Sequence, residues 1–194
     1  MNIIVISTSM RANSQSLRVS EYLVRRLQAL EQNAWLLDLF TFRLPMYDDV
    51  SEPQERAELR KQLASADGFV FVSPEWDGMM SFGLINMLLH TEQELAHKPV
   101  MLTGVSSGRG GAYPISQMRQ IGPKNKHYVI TPENLRLQEV KTLFLNDSFD
   151  PNEPDVSVKQ RVEYTLKVLI AYTEALKPVR NSNIVDMTLF PSGV

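Results

Sequence analysis

The chain has 194 residues, of which 43% are hydrophobic, enough for one sizeable core and short for two. A formal net charge of -2 gives no footprint for nucleic acid or an anionic membrane surface, and it lacks the strong acidity of a small electron carrier that docks on basic partners. Cysteine is absent, which excludes disulfides, thiolate nucleophiles and cysteine-ligated metals.

From Met1 the chain runs into a strand pattern at Ile3 to Ile6 with no basic n-region and no long apolar span, which predicts a cytoplasmic protein. The next stretch, STSMRANSQS from Ser7 to Ser16, has two readings. It is a solvated turn with an N-cap serine, or an anion cradle in which Ser9, Ser14, Ser16 and Arg11 converge on the free N–H groups of a helix starting near Ser14 or Ser16. Such a cradle suits a single terminal phosphate, because the lysine of a triphosphate-binding P-loop is missing. Leu17, Tyr22, Leu23, Leu27 and Leu30 keep an apolar stripe along this helix, with Arg18, Arg25, Arg26 and Gln28 on its other faces.

A second strand is expected at Ala34 to Leu39. A charged helix is expected from Glu55 to Ala66, with Asp48, Asp49 and Glu52 ahead of it as caps. The run Phe69 to Val72 is apolar on consecutive residues, as in a strand covered on both faces. Behind it comes SPEWDGMMSFGLIN, Ser73 to Asn86. Pro74 ends the ladder, Gly78 permits a turn, and Trp76 with Met79 and Met80 forms either a flat surface for a planar ring or a core or subunit contact.

An apolar helix is expected from Phe82 to Leu95 and a fourth strand at Val100 to Thr103. After it, SSGRGGAYP carries Gly108, Gly110 and Gly111, read as a plain flexible turn or as backbone that approaches a ligand closely. Arg109 is an exposed loop arginine or meets the phosphates of a nicotinamide cofactor. The remaining elements are a short helix from Ile115 to Ile121, a weaker strand at His127 to Ile130, a polar loop from Asn146 to Ser157 and a closing helix from Val158 to Leu176. Residues from about 177 to 194 form a C-terminal tail.

The alternation predicts one α/β domain over residues 1–194, a three-layer sandwich with a five-stranded parallel sheet of order 2-1-3-4-5 and a ligand crevice at the carboxyl ends of the strands. A six-stranded nucleotide-binding sheet is the topological rival, and its glycine-rich turn is missing after the first strand. His90, His97 and His127 show no metal spacing. No serine sits in a nucleophile elbow.

Three loops then resemble one family. Thr8-Ser9-Met10-Arg11-Ala12-Asn13-Ser14, Pro74-Glu75-Trp76-Asp77-Gly78 followed by Leu84-Ile85-Asn86, and Ser107-Gly108-Arg109-Gly110-Gly111 are similar to the loops of the flavodoxin-like NAD(P)H-dependent FMN reductases, which include quinone, chromate and azo-dye reductases. Departures from the family pattern are Thr8 for glycine, Trp76 for tyrosine, Asp77 for asparagine, Ile85 for lysine, and Leu89-His90 for aspartate-tryptophan. The resemblance implies that Ser9, Arg11, Ser14 and Ser16 hold the FMN phosphate. It places Pro74, Glu75, Trp76, Asp77 and Gly78 along the isoalloxazine, and Ser107, Gly108, Gly110 and Gly111 on its pyrimidine side.

With no thiol in the chain, redox chemistry would belong to the cofactor. The expected activity is electron transfer from NAD(P)H through FMN to a quinone or similar small acceptor, in a homodimer or homotetramer that engages neither nucleic acid nor membrane. A flavin-binding carrier or sensor without turnover is the alternative. A module that has lost FMN and serves only as a subunit is a further one.

Overall fold

Runs of apolar residues without alternation become strands buried on both faces, and the computed structural model, which describes residues 1–48, 50–182 and 185–189, follows that rule at its centre. Strands β1 (Asn2–Ser7), β2 (Asn33–Asp38), β3 (Gly68–Pro74), β4 (Pro99–Val105) and β5 (Val129–Leu137) form one parallel sheet of order β2-β1-β3-β4-β5. Every residue of β3 and β4 is buried. The expected strand order therefore holds.

The helices are α1 (Gln15–Ala29), α2 (Leu39–Phe42), α3 (Gln54–Ser65), α4 (Phe82–Leu89), α5 (Ala112–Gln120), α6 (Pro123–Lys126) and α7 (Val156–Arg180). Side chains alternate across the sheet. Ile3, Val5, Val70, Val72 and Met101 face the layer that holds Val19, Leu23, Leu166 and Leu169 of α1 and α7. Ile4, Ile6, Phe69, Phe71 and Leu102 face Leu59, Leu84, Met87 and Met118 of α3, α4 and α5. Among the described residues no helix is long and apolar enough to cross a membrane.

Several expectations need correction. The last strand runs on to Leu137, past Ile130, because its pairing with β4 jumps between Val100↔Ile130 and Leu102↔Asn134. Thr131, Pro132 and Glu133 bulge there, and a proline with no N–H fits such a gap. Helix α4 stops at Leu89, short of Leu95, where Thr91 Oγ1 donates to the Leu88 carbonyl. Beyond it Arg60 holds Glu92 at 2.6 Å and Glu94 at 2.5 Å, which draws the chain toward α3. Asp48 and Glu52 do not cap α3. Its N-cap is Pro53, without a side-chain bond. Asp48 closes its own turn on the N–H groups of Val50 and Ser51, Glu52 pairs with Arg56 at 2.6 Å, and Asp49 lies outside the described residues. The closing helix continues to Arg180, whose guanidinium meets Asp67 at 3.3 Å; the rest of the tail lies partly outside the described residues.

Two cations turn inward, Arg18 from the faces of α1 outside its apolar stripe and Lys159 from α7. Arg18 donates to the carbonyls of Val140, Leu143 and Phe144, fastening α1 to the segment that follows β5. Lys159, fully buried, pairs with Asp155 at 3.0 Å and donates to Asn146 and to the Ser148 carbonyl. Asp155 in turn accepts from the Phe144 N–H at 2.7 Å. This pair folds the polar loop onto the helix rather than leaving it in solvent.

Candidate functional site

The three loops meet at the carboxyl ends of β1, β3 and β4 and enclose a cleft of about 390 Å³, within the range of small-molecule sites. The first loop is fixed at its base. Thr8 donates twice to the Val72 carbonyl, each at 3.0 Å, and its own carbonyl accepts from the Ser81 hydroxyl. A Cβ at Gly83 would stand 2.7 Å from Met10 Sδ and 2.9 Å from the Thr8 carbonyl oxygen, so only glycine lets the start of α4 come this close.

Ser14 is the N-cap of α1, its hydroxyl accepting from Leu17 N–H at 3.0 Å, as the loop's composition predicts. Arg18 N–H to the Ser14 carbonyl, at 3.2 Å, is the first intrahelical bond. The N–H groups of Gln15 and Ser16 precede it and have no helical carbonyl to meet. Ser9 is buried, and its hydroxyl accepts from the Arg11 N–H at 3.3 Å. Ser16 is also buried, yet its hydroxyl has no partner among the described residues. In Ser9 and Ser14 the oxygen is engaged as acceptor and the hydroxyl proton is still available to donate; in Ser16 both functions are open. Arg11 makes no ion pair among the described residues, and its guanidinium lies 4.5 Å from the centre of the Trp76 ring.

The second loop is a two-residue hairpin. Trp76 and Met79 exchange backbone bonds at 3.0 and 2.8 Å, with Asp77 at φ 50° and Gly78 at φ 73°, the left-handed pair that an Asp-Gly turn supplies. Gln117 of α5 clamps this hairpin, accepting from Met80 N–H at 2.7 Å and donating to the Gly78 carbonyl at 3.3 Å.

The third loop is pinned by its neighbours. Arg136 and Gln138 donate to the Arg109 carbonyl, Arg136 also reaches the Gly110 carbonyl, and Glu139 N–H takes the Gly108 carbonyl. Ser106 Oγ accepts from the N–H groups of Gly108 and Gly110. Arg109 itself is solvent-exposed, 4.0 Å from Glu139.

Of the residues singled out from the sequence, Ser9, Arg11, Ser14, Ser16, Pro74, Glu75, Trp76, Ser107 and Gly108 line one cleft. Asp77, Gly78, Gly110 and Gly111 do not line it; Asp77 and Gly78 form the hairpin tip, and Gly110 and Gly111 turn the chain into α5. The cleft also takes Ala12, Asn13, Gln15, Val105 and Ser106. Asn13 and Gln15 are polar residues of the loop already under suspicion, and that position was their only signal. Among the described residues no cluster of histidine and carboxylates could hold a metal ion.

Residues 1–139 match the family described as NADPH-dependent FMN reductase. The chain is 30% identical over 129 residues to an NADH:(hydroxy)cinnamate reductase subunit of Vibrio ruber, covering 62% of each. It is 32% identical over 124 residues to an NADPH azoreductase of a Bacillus species, covering 61% of this chain and 66% of that one. The matches thus span less than two thirds of either relative. In fold it is similar to an NAD(P)H:(acceptor) oxidoreductase from Paracoccus denitrificans, with a TM-score of 0.70 at 17% identity over 90% of this chain and 97% of that one. A flavodoxin variant from Pseudomonas aeruginosa gives a TM-score of 0.59 at 16% identity, over 88% and 99%.

Proposed function

The chain belongs to the NADPH-dependent FMN reductase family, and on that premise we propose that it is an FMN-dependent oxidoreductase carrying electrons from NAD(P)H to a quinone or similar small acceptor. One observation carries this reading. The cleft has unspent donors for an anion at one end, the Ser16 hydroxyl and the Arg11 guanidinium, and a flat ring, Trp76, beside them.

The residues fit the cofactor. Its phosphate would take the N–H groups of Gln15 and Ser16, the hydroxyl protons of Ser9, Ser14 and Ser16, and the charge of Arg11. Pro74, Glu75 and Trp76 would border the ring, with Ser107 and Gly108 on its far side. Asp77, Gly78, Gly110 and Gly111 would serve by shaping the turns. Held there, FMN would supply the two-electron chemistry that links the nicotinamide to the second substrate. The chain's part is to bind, orient and shield: no side chain is required as nucleophile, so the site depends on fixed loops rather than on a titrating group.

We also assign a second copy of the chain to α4. Phe82, Ile85 and Leu89 stand at i, i+3 and i+7 and are 51%, 43% and 49% exposed, an apolar stripe that a homodimer or homotetramer would cover. A cytoplasmic location goes with this reading.

An absorbance scan tests the proposal. Purified protein that is yellow, is bleached by NADPH and oxidises it in air supports the reductase. Yellow protein that NADPH cannot bleach points to the carrier or sensor, and colourless protein that ignores added FMN overturns both.

A further inference from the structure

Glu75 belongs to the second loop, but its carboxylate serves the third. Oε2 accepts from the Gly111 N–H at 2.6 Å and from the Tyr113 N–H at 3.3 Å. Gly111 is the N-cap of α5 and has no side chain to offer, and α5 has no side-chain cap bond from its own sequence. The neighbouring loop therefore supplies the cap that the helix lacks, and it places an anion at the positive end of the helix dipole. Glu75 is itself anchored, its N–H donating to the Val105 carbonyl at 2.9 Å.

The glycine beside this contact records it. A Cβ at Gly110 would stand 2.5 Å from Glu75 Oε1 and 3.1 Å from Ser106 Oγ. The backbone of Gly110 does not have positive φ, in contrast to Gly111 at 95°. What glycine contributes at 110 is therefore room for the carboxylate, not conformational freedom.

With the N–H groups of Gly108 and Gly110 on Ser106 Oγ, that of Gly111 on Glu75, and the carbonyls of Gly108, Arg109 and Gly110 all accepting, the loop is held at both ends around Ser107. Ser106, Ser107 and Gly108 of this loop line the cleft that Trp76 also lines, while Gly110 and Gly111 do not. Resting on the FMN reading above, we infer that Glu75 is a positioning residue. It locks the third loop in register with the hairpin, so that Ser107 and Gly108 face the flavin ring. Its carboxylate serves the backbone of Gly111 and Tyr113, not the flavin.

Amide exchange on the full-length apo protein and flavin titrations test this together. In Glu75→Ala the Gly111 and Tyr113 amides should exchange at least about 10-fold faster while β3 and β4 amides stay protected. FMN and riboflavin should weaken by the same factor, roughly 10-fold, because the phosphate end is untouched. Glu75→Gln keeps an acceptor oxygen and should recover both affinities to within about 3-fold. Gly110→Ala should reproduce the loss in the wild-type background and add clearly less once Glu75 is alanine, since the clash with the carboxylate is then gone and only the 3.1 Å approach to Ser106 Oγ remains.

Unchanged flavin affinities in Glu75→Ala, a Glu75→Gln variant as weak as Glu75→Ala, or losses from Glu75→Ala and Gly110→Ala that simply multiply would each overturn the positioning role. If Glu75→Ala does not fold, Glu75→Gln and Gly110→Ala decide by the same affinities. Wild-type protein that binds neither flavin overturns the FMN reading instead, and the two failures are thereby distinguished.

Discussion

The Arg11 guanidinium carbon rests 4.5 Å from the centre of the Trp76 ring, so the one cation of the first loop lies on the flat side chain offered by the second. A cation–π contact at an exposed site contributes about 0.5–1 kcal/mol, less than the roughly 1.5–3 kcal/mol of a hydrogen bond to a charged group. A phosphate entering the cleft would therefore be expected to win Arg11 from Trp76. The contact holds the guanidinium at the cleft until then.

Arg11→Ala is accordingly expected to weaken FMN binding by roughly 10- to 100-fold while riboflavin, which has the ring without the phosphate, binds wild type and mutant almost equally. Flavin fluorescence titration measures both. Equal weakening of the two ligands would mean damage to the fold, and intact FMN affinity would remove Arg11 from the phosphate site.

The five-fold alternation with helices carried the sheet order, and the central strands were readable because Ile3 to Ile6, Phe69 to Val72 and Val100 to Leu102 are consecutively apolar, a local pattern that burial on both faces imposes. The end of β5 was not, because Pro132 and its neighbours sit where pairing skips and nothing local says that it resumes. The same division runs through the site. Ser14 is an N-cap by local rules and was found. Glu75 was placed at the cleft, which it lines, but its contact with Gly111 spans 36 positions, and Gly110 looked like room for a ligand when the room is for that carboxylate. Lys159 sits in a helix of mixed polarity, where only the distant Asn146 and Ser148 show why it is buried. Contacts set by tertiary approach leave little trace in spacing.

Two glycines of β4 and the loop that follows it should behave oppositely. A Cβ at Gly104 would lie 2.0 Å from the Gly111 carbonyl oxygen, a backbone atom that cannot swing aside, whereas one at Gly108 meets nothing within 4 Å. Gly104→Ala is expected to cost about 3 kcal/mol or more, and Gly108→Ala to stay within about 0.5 kcal/mol. Urea unfolding of the apo protein measures the contrast; equal costs would mean that the third loop yields to Gly104.

If a second copy covers the α4 stripe, a charge on it should separate the subunits. Ile85→Glu and Leu89→Glu place a carboxylate on a surface already exposed in one chain, so the folded chain should tolerate them while the assembly loses its apolar contact. Light scattering at micromolar concentration is expected to show an oligomer for wild type and a monomer for the variants. A wild-type monomer defeats the assignment.

Lys98 links stability to pH. Burial pushes its amine down to about 8 from 10.5, while Nζ donates to the Leu63 and Ala64 carbonyls at 2.9 and 3.0 Å, two bonds that a neutral amine can still make. Between those two values the unfolded chain keeps a proton that the folded one has released, so stability rises with pH across the window and is lost as pH falls toward 8. The slope is at most about 1.4 kcal/mol per pH unit. Lys126, also lowered by burial, acts in the same direction. Burial raises the Tyr22 and Tyr128 hydroxyls, so above the ordinary tyrosine range these act oppositely, the unfolded chain losing its protons first. Urea unfolding between pH 8 and 10 should therefore show wild-type stability climbing, with a clearly shallower climb in Lys98→Met, which keeps the apolar stem and cannot titrate. Parallel profiles for the two proteins would mean that Lys98 keeps its proton in the fold.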